Sequence, residues 1–374
     1  ALSRAGYRVV IAEQADELTD IGAGIQLSPN ATRILQSFDV AGRLAGRAVV
    51  PEGLSIRQAH SGDELAYMPI GPSMEFRYGA PYWMVHRGDL QAALAEAAAE
   101  QPEVILRLGT RVEDFVIHSN GITAQLRDAR GVTDERVPAI VGADGIWSTS
   151  RVQLGDLSKP VFRDRTAWRA MLPAAAVSED FRRPITRLWL GPNAHLVHYP
   201  VRGGTLINVV AIVRDRWQEP GWSAPGERRD LLRHFTRGRW AKPARDLVET
   251  PERWVRWALF DRSDFGFRCH GPVTLVGDAA HPMLPFLAQG AAMAIEDAAI
   301  LGRCLTSAEP EQGMRRYEAM RRSRVRRVQH EARANSKTYH LSGPAALARN
   351  LAMRLLGGER LRARYDWLYD WRPD

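Results

Sequence analysis

Asp278 follows a short apolar run, Val273-Thr274-Leu275-Val276, and a single glycine, Gly277. A buried strand that turns tightly on glycine at its end delivers the next carboxylate to where it can accept hydrogen bonds from a ribose diol. After the proline-interrupted stretch from Pro282 to Gln289, Gly290 opens a helix whose first turn is Ala291, Ala292 and Met293. Nothing bulky covers the backbone N–H groups there, and a helix start of that kind stabilises negative charge. Strand, fixed carboxylate and small-residue helix start are the parts with which a chain holds a dinucleotide. A second group lies in Ala194-His195-Leu196-Val197-His198-Tyr199-Pro200. Side chains alternate along a strand, so His195 and Tyr199 share one face and His198 takes the other. An imidazole and a phenol on one face are candidates for taking a proton from a hydroxyl group.

The whole string VTLVGDAAHPMLPFLAQGAAMAIEDA, Val273 to Ala298, resembles the second flavin-binding fingerprint of the single-component FAD-dependent aromatic hydroxylases, the family of salicylate hydroxylase and para-hydroxybenzoate hydroxylase. The resemblance implies an α/β FAD-binding dinucleotide fold of three layers around a mainly parallel sheet, with an inserted antiparallel-sheet substrate domain and C-terminal helices. It also implies a monooxygenase that uses NADH or NADPH and O2 to hydroxylate a small hydroxylated aromatic acid, salicylate-like or hydroxybenzoate-like, through a flavin C4a-hydroperoxide.

Under the same resemblance Asp278, Gly290, Ala291 and Ala292 bind FAD, and Arg87, in His-Arg-Gly-Asp-Leu, contacts the flavin. Asp144, in Gly142-Ala143-Asp144-Gly145, lies on the cofactor side together with Arg151, and Gln26 approaches the ring edge. Pro285 lies over the flavin ring near the substrate, and the apolar loop around it suits exclusion of water. The H-x-x-x-Y spacing of His195 and Tyr199 resembles the substrate-contacting pair of meta-hydroxybenzoate hydroxylases, so His195, Tyr199 and Pro285 are the catalytic candidates. Those hydroxylases carry a glutamine where this chain has Pro285, and the ring position attacked is therefore not fixed by the resemblance. His281 reads as a residue that braces its loop.

These groups need a scaffold. Ala1 to Ala5 read as the end of a helix, Gly6 as its stop, and Tyr7 to Ala12 as a strand ending on Glu13. An acidic residue at the end of the second strand of a βαβ unit binds the adenosine ribose, which makes Glu13 a cofactor candidate. The partner motif G-x-G-x-x-G does not occur in the chain, which starts on Ala rather than Met. The expectation is that roughly 20 to 30 residues, one βα unit, precede Ala1. Ser28-Pro29 starts a helix to about Phe38, and Ser61-Gly62-Asp63 turns a hairpin between Leu54 and Tyr67. A helix follows Arg87, a hairpin turns at Asn120-Gly121, and Val137 to Val141 form a strand. The β-rich runs from Val161 to Val213 read as the substrate sheet. The domains expected are an FAD-binding part over 1–160, the substrate sheet over 161–265, a second FAD-binding part over 266–305 and helices over 306–374.

With 374 residues, 45% of them hydrophobic, the chain can bury a large core of two substructures. It has no apolar run long enough to span a bilayer and no secretory signal core. Cys269 and Cys304 make no disulfide framework, no Cys/His spacing suggests a metal, and a reducing cytoplasm fits. The net charge of +8 rests partly on arginines between Arg315 and Arg327. Interleaved with Tyr317, Met320, Val325 and Val328, they read as the solvated face of a helix rather than a nucleic-acid surface. The partners expected are a small aromatic acid and O2, with no nucleic acid and no stable membrane association, and a homodimer is left open. Two other readings are carried: a flavin oxidoreductase of this fold that inserts no oxygen, and a fragment that cannot hold FAD.

Overall fold

A computed structural model describes residues 1–19, 22–219, 221–262 and 269–373. The expected boundary at 265/266 lies outside them. Among the described residues, five sheets form the β framework. The dinucleotide-binding part shows two parallel two-stranded ladders, Val9–Ala12 with Val104–Arg107 and Ile140–Gly142 with Val273–Leu275. Parallel pairing needs crossovers that lay helices on the sheet, and Pro29–Ser37, Arg87–Ala99 and Gly290–Thr306 are the helices close by. A three-stranded meander, Arg111–His118, Gly121–Asp128 and Gly131–Val137, turns at Asn120-Gly121 as expected. Val137 ends this meander, so the following parallel strand starts only at Ile140.

The large sheet has eight strands, and all but one of its pairings are antiparallel. The exception comes from the first 160 residues. The hairpin Gly53–Gln58 and Glu64–Met68 joins this sheet, with Gly53–Gln58 lying parallel to Ile185–Gly191. The large sheet therefore includes two strands from the first 160 residues. One face packs on an apolar cluster of Trp168, Leu172, Phe181, Trp189, Leu196 and Trp254 with the helix Lys242–Glu249. The other face carries the site.

The C-terminal helices clamp the two parts together. Pro310–Tyr339 runs beside Gly290–Thr306, and Gly343–Ala363 turns sharply at Gly357, whose φ is 68°. At the next residue the chain lies so close to the strand Glu64–Met68 that a Cβ on Gly358 would sit 1.6 Å from the Tyr67 carbonyl oxygen. Only glycine allows that approach.

Candidate functional site

The strand Val273–Leu275 ends on Gly277, whose φ of 57° is left-handed, and Asp278 follows on an accessible turn. The Gly277 N–H donates to Asp297 Oδ2 at 2.8 Å, and His281 Nε2 meets the same oxygen at 2.5 Å. His281 thus braces its loop, as expected. Arg151 is buried rather than facing the cofactor side: it pairs with Asp156 at 2.9 Å and donates to the carbonyls of Ala279 and Ala280 at 3.1 Å. It fixes the turn that presents Asp278. Surrounding protein desolvates the Asp278 carboxylate and raises its pKa, with His281 and Arg87 opposing the rise. A position that penalises charge and offers solvent access on one side suits a carboxylate that accepts hydrogen bonds from a diol.

The helix Gly290–Thr306 begins on Gln289 with no side-chain cap. The Gln289 amide is drawn away, donating to Ser28 Oγ at 2.9 Å and accepting from Asn30 Nδ2 at 3.2 Å. The first-turn N–H groups of Gly290, Ala291 and Ala292 are thereby left for another acceptor. A Cβ on Gly290 would meet nothing nearer than Met283 Cγ at 3.9 Å. The protein's own packing does not require glycine there, whereas close approach of a phosphate group would. Glu13, at the end of Val9–Ala12, turns Oε1 to the N–H of Ala15 at 2.8 Å. Asp144 accepts from the Ser150 N–H at 2.9 Å and so holds the start of the helix Thr149–Gln153. Burial works against its charge, but hydrogen bonds from Ser148 and Ser150 keep its pKa below the ordinary carboxylate value. Taken together, the open helix start, Asp278 and the strand-end Glu13 fit an FAD.

Arg87 is exposed at the start of its helix and acts electrostatically on both Asp278 and Arg169. It therefore stands between the dinucleotide side and the large sheet. On that sheet the register places His195 opposite Ile212, Val197 opposite Val210 and Tyr199 opposite Asn208, with Arg169 across from Val210. Directly paired residues share a face, so His195, Val197, Tyr199 and Arg169 all lie on one side. His198 is on the other, 4.8 Å from the Phe181 ring.

Tyr199 is buried and its pKa is pushed up to about 12 by burial, with Arg169 and a hydrogen bond to Gln26 pulling the other way. The Tyr82 hydroxyl donates to the same Gln26 at 2.9 Å. Gln26 thus belongs to the site through Tyr199 and Tyr82. His195 is 2% exposed, and its ring lies 5.5 Å from Phe286, 5.5 Å from Tyr339 and 4.9 Å from His340. Phe286 belongs to the Pro285–Leu287 turn, which puts Pro285 next to the residue that touches His195. Two side-chain amides of the long helix hold this loop, Gln329 on the Pro282 carbonyl at 2.7 Å and Asn335 on the Phe286 carbonyl at 3.2 Å.

Sequence reasoning missed two residues beside His195 and Tyr199. Arg169 has a buried Nε without a hydrogen-bond partner, and its electrostatic neighbours among the described residues are Tyr199 and Arg87, neither a carboxylate. Its guanidinium lies 4.5 Å from the Trp257 ring centroid. The signal available was an arginine inside an apolar strand run, Trp168-Arg169-Ala170-Met171. The other is His340, whose Nε2 is 2.8 Å from His195 Nδ1. It is 145 residues away in the chain and carried no local signal.

A family model described as FAD binding domain matches residues 1–332. A 3-hydroxybenzoate 6-hydroxylase of Klebsiella oxytoca is 34% identical over 377 residues, covering 100% of this chain and 93% of that protein. A 3-amino-4-hydroxybenzoate 2-monooxygenase of Streptomyces platensis is 37% identical over 374 residues, covering 99% and 91%. Among solved structures, a salicylate hydroxylase substrate complex superposes with a TM-score of 0.79 at 24% identity, over 94% of this chain and 88% of that one. The Klebsiella pneumoniae protein HpxO complexed with FAD and uric acid gives 0.83 at 21% identity, over 97% and 90%.

Proposed function

This chain belongs to the FAD binding domain family and is an FAD-dependent aromatic monooxygenase, and from that premise we propose that it hydroxylates a small hydroxybenzoate-type acid held between the large sheet and the Pro285 loop, with NADH or NADPH as reductant. The observation that carries the substrate class is the buried sheet face on which Arg169, without a carboxylate partner, shares a surface with Tyr199 and His195. When bound and reduced, FAD activates O2 and supplies one electrophilic oxygen atom. The sum is aromatic C–H, O2, NAD(P)H and a proton giving the phenol, water and NAD(P)+.

The chain's own residues divide the remaining work. Arg169 and the neutral hydroxyl of Tyr199 take the substrate carboxylate at one end of the chamber, where a charge-assisted hydrogen bond offsets the burial of both charges. His195 takes the ring hydroxyl at the other end. His195 and Tyr199 stand four residues apart on the strand, about 13 Å between their Cα atoms, and the substrate ring is proposed to lie between their side chains. His195 is a weak base because burial, the neighbouring His340 and Arg165 hold its pKa well below the ordinary value. That is sufficient here: attack of an electrophilic oxygen makes the ring cationic and its hydroxyl strongly acidic, so even a weak base receives the proton as the new C–O bond forms. Pro285 and Phe286 close the chamber against water, and Asp278, Glu13, Arg87, Asp144 and the helix start at Gly290, Ala291 and Ala292 hold the cofactor.

The test is to load the protein with FAD, desalt it, and follow NAD(P)H oxidation, O2 uptake and product by mass spectrometry over a panel of hydroxybenzoates. Stoichiometric hydroxylated product is expected. Oxidation that yields only hydrogen peroxide across the panel would show a flavin oxidoreductase without oxygen insertion, and a colourless protein would show that these residues do not hold FAD.

A further inference from the structure

The pair formed by His195 and His340 is a feature the proposed chemistry uses only in half. His340 caps the C-terminus of the long helix Pro310–Tyr339, and its Nδ1 lies 2.6 Å from the Ser336 carbonyl oxygen. A carbonyl only accepts, so His340 Nδ1 carries the hydrogen. Burial, Arg165 and Arg349 bring the His340 pKa down to about 4, with the Ser336 hydrogen bond opposing, so the ring is neutral near pH 7 and its Nε2 is a bare acceptor. The atom facing that acceptor at 2.8 Å is His195 Nδ1, which must therefore donate. A neutral His195 with its hydrogen on Nδ1 has its lone pair on Nε2.

We propose that His340 is a positioning residue that locks His195 in the Nδ1–H tautomer, so that His195 Nε2 is always the atom offered to the substrate hydroxyl. The chain of donors runs from His195 through His340 to a last-turn carbonyl of the long helix, one that helix geometry leaves without an intrahelical partner. The groups around the pair agree with this arrangement. Arg165, from the strand Val161–Pro173, stands near both rings and opposes their protonation, and Arg349, from the helix Gly343–Ala363, donates to the Thr338 and Tyr339 carbonyls beside His340. Phe286 and Tyr339 pack edgewise or tilted on the two imidazoles and supply no competing acceptor through their rings. A shift of the His195 hydrogen from Nδ1 to Nε2 would place a donor before the substrate hydroxyl and two bare nitrogens before each other.

The role of His195 as base rests on the function proposed above, whereas its tautomer does not, and the experiment separates the two. Long-range 1H–15N spectra of the FAD-loaded protein, with histidine ring nitrogens labelled and His195 assigned by His195→Gln, report which nitrogen is protonated. The expected result is His195 protonated on Nδ1 in the native chain, lost or mixed in His340→Leu, and kept in His340→Gln, whose amide oxygen supplies an acceptor. Hydroxylation kcat is expected to fall about 10- to 100-fold in His340→Leu with little change in KM, and to recover in His340→Gln. A native spectrum with His195 protonated on Nε2 overturns the assignment by itself, even where His340→Leu does not fold. So does a His340→Leu protein that keeps the Nδ1–H signal and full kcat. If His195→Ala hydroxylates normally while the tautomer follows His340, the base reading fails and the lock stands.

Discussion

Behind the helix Gly290–Thr306, Arg321 donates to Glu296 at 2.7 Å and to Asp297 at 2.7 Å, while Arg324 donates twice to Glu296 at 2.6 Å and Asn30 once at 2.7 Å. Every charge there has an opposite within hydrogen-bond reach, and Arg321, Glu296 and Asp297 are at most 1% exposed. On the large sheet, Arg169 has a buried nitrogen with no acceptor, His195 is neutral, and Tyr199 keeps its proton. Both regions bury polar groups; only the first is balanced from within. A buried network satisfied by its own chain fixes geometry, here that of the helix Gly290–Thr306, while one left a carboxylate short has room for an acceptor from outside the chain.

Breaking the balanced side gives the largest effect. Arg321→Met leaves Glu296 and Asp297 buried with one cation fewer, and unfolding in urea is expected to come earlier by about 3–5 kcal/mol, or the protein to be insoluble. An unchanged midpoint would show that the network is not structural. Arg169→Met should do the reverse: the urea midpoint stays within about 1 kcal/mol of native, while KM for a hydroxybenzoate rises about 10- to 100-fold, the worth of a charge-assisted hydrogen bond. A neutral phenol lacking the carboxylate should be turned over equally by both proteins. Equal losses for acid and phenol would remove Arg169 from the carboxylate site. A smaller change is expected from Asp278→Asn, which keeps the shape but weakens the acceptor. FAD should be retained less well on desalting, by about tenfold in affinity, with the fold intact by circular dichroism.

Titration sharpens the same contrast, with the smallest effect. His340 folded resists protonation until about pH 4 and His195 likewise sits well below its ordinary value, whereas both unfolded histidines protonate near pH 6.5. The folded pKa is the lower one, so their contribution to stability is complete above pH 6.5 and is lost as the pH falls towards 4. Asp297 belongs to a later window. Burial opposes its charge, but His281, Arg321 and the Gly277 N–H bring its pKa down to about 2, so its contribution holds above the unfolded value near 3.8 and disappears only towards pH 2. Urea midpoints at pH 7.5 and 5.0 should differ less in His340→Gln than in the native chain.

The contrast also explains what the amino-acid order revealed. Asp278, Gly290 and their short connecting loop are close in sequence, so strand, turn and helix could be read locally, and so could the hairpins at Gly62 and Gly121. Period-two alternation put His195 and Tyr199 on one face, and the family resemblance made them catalytic candidates. Arg169 and His340 meet them only through strand register and a helix end far along the chain, which no local pattern encodes. Arg321 was misread for the same reason. In a run of seven arginines between Arg315 and Arg327 it looks solvated, and only the neighbouring helix shows that it is buried on Glu296 and Asp297 while Met320 is exposed. The parallel place of Gly53–Gln58 in the large sheet is likewise a long-range pairing, with no signal at residue 53 itself.

The seat of Gly358 on Tyr67 has a consequence for the free edge of the large sheet. Glu64–Met68 is the last strand of the eight, and its outer edge would otherwise present unpaired backbone groups to any other chain. The kinked helix lies over that edge, close enough that a single added methyl would collide with it. A sheet this wide is an open template for edge-to-edge stacking on whichever side is left bare, and the opposite side is blunted by a four-residue strand carrying Pro225. The helix therefore covers this edge of the sheet, and removing the chain from Gly343 onward is expected to bare it to edge-to-edge pairing, read as precipitation.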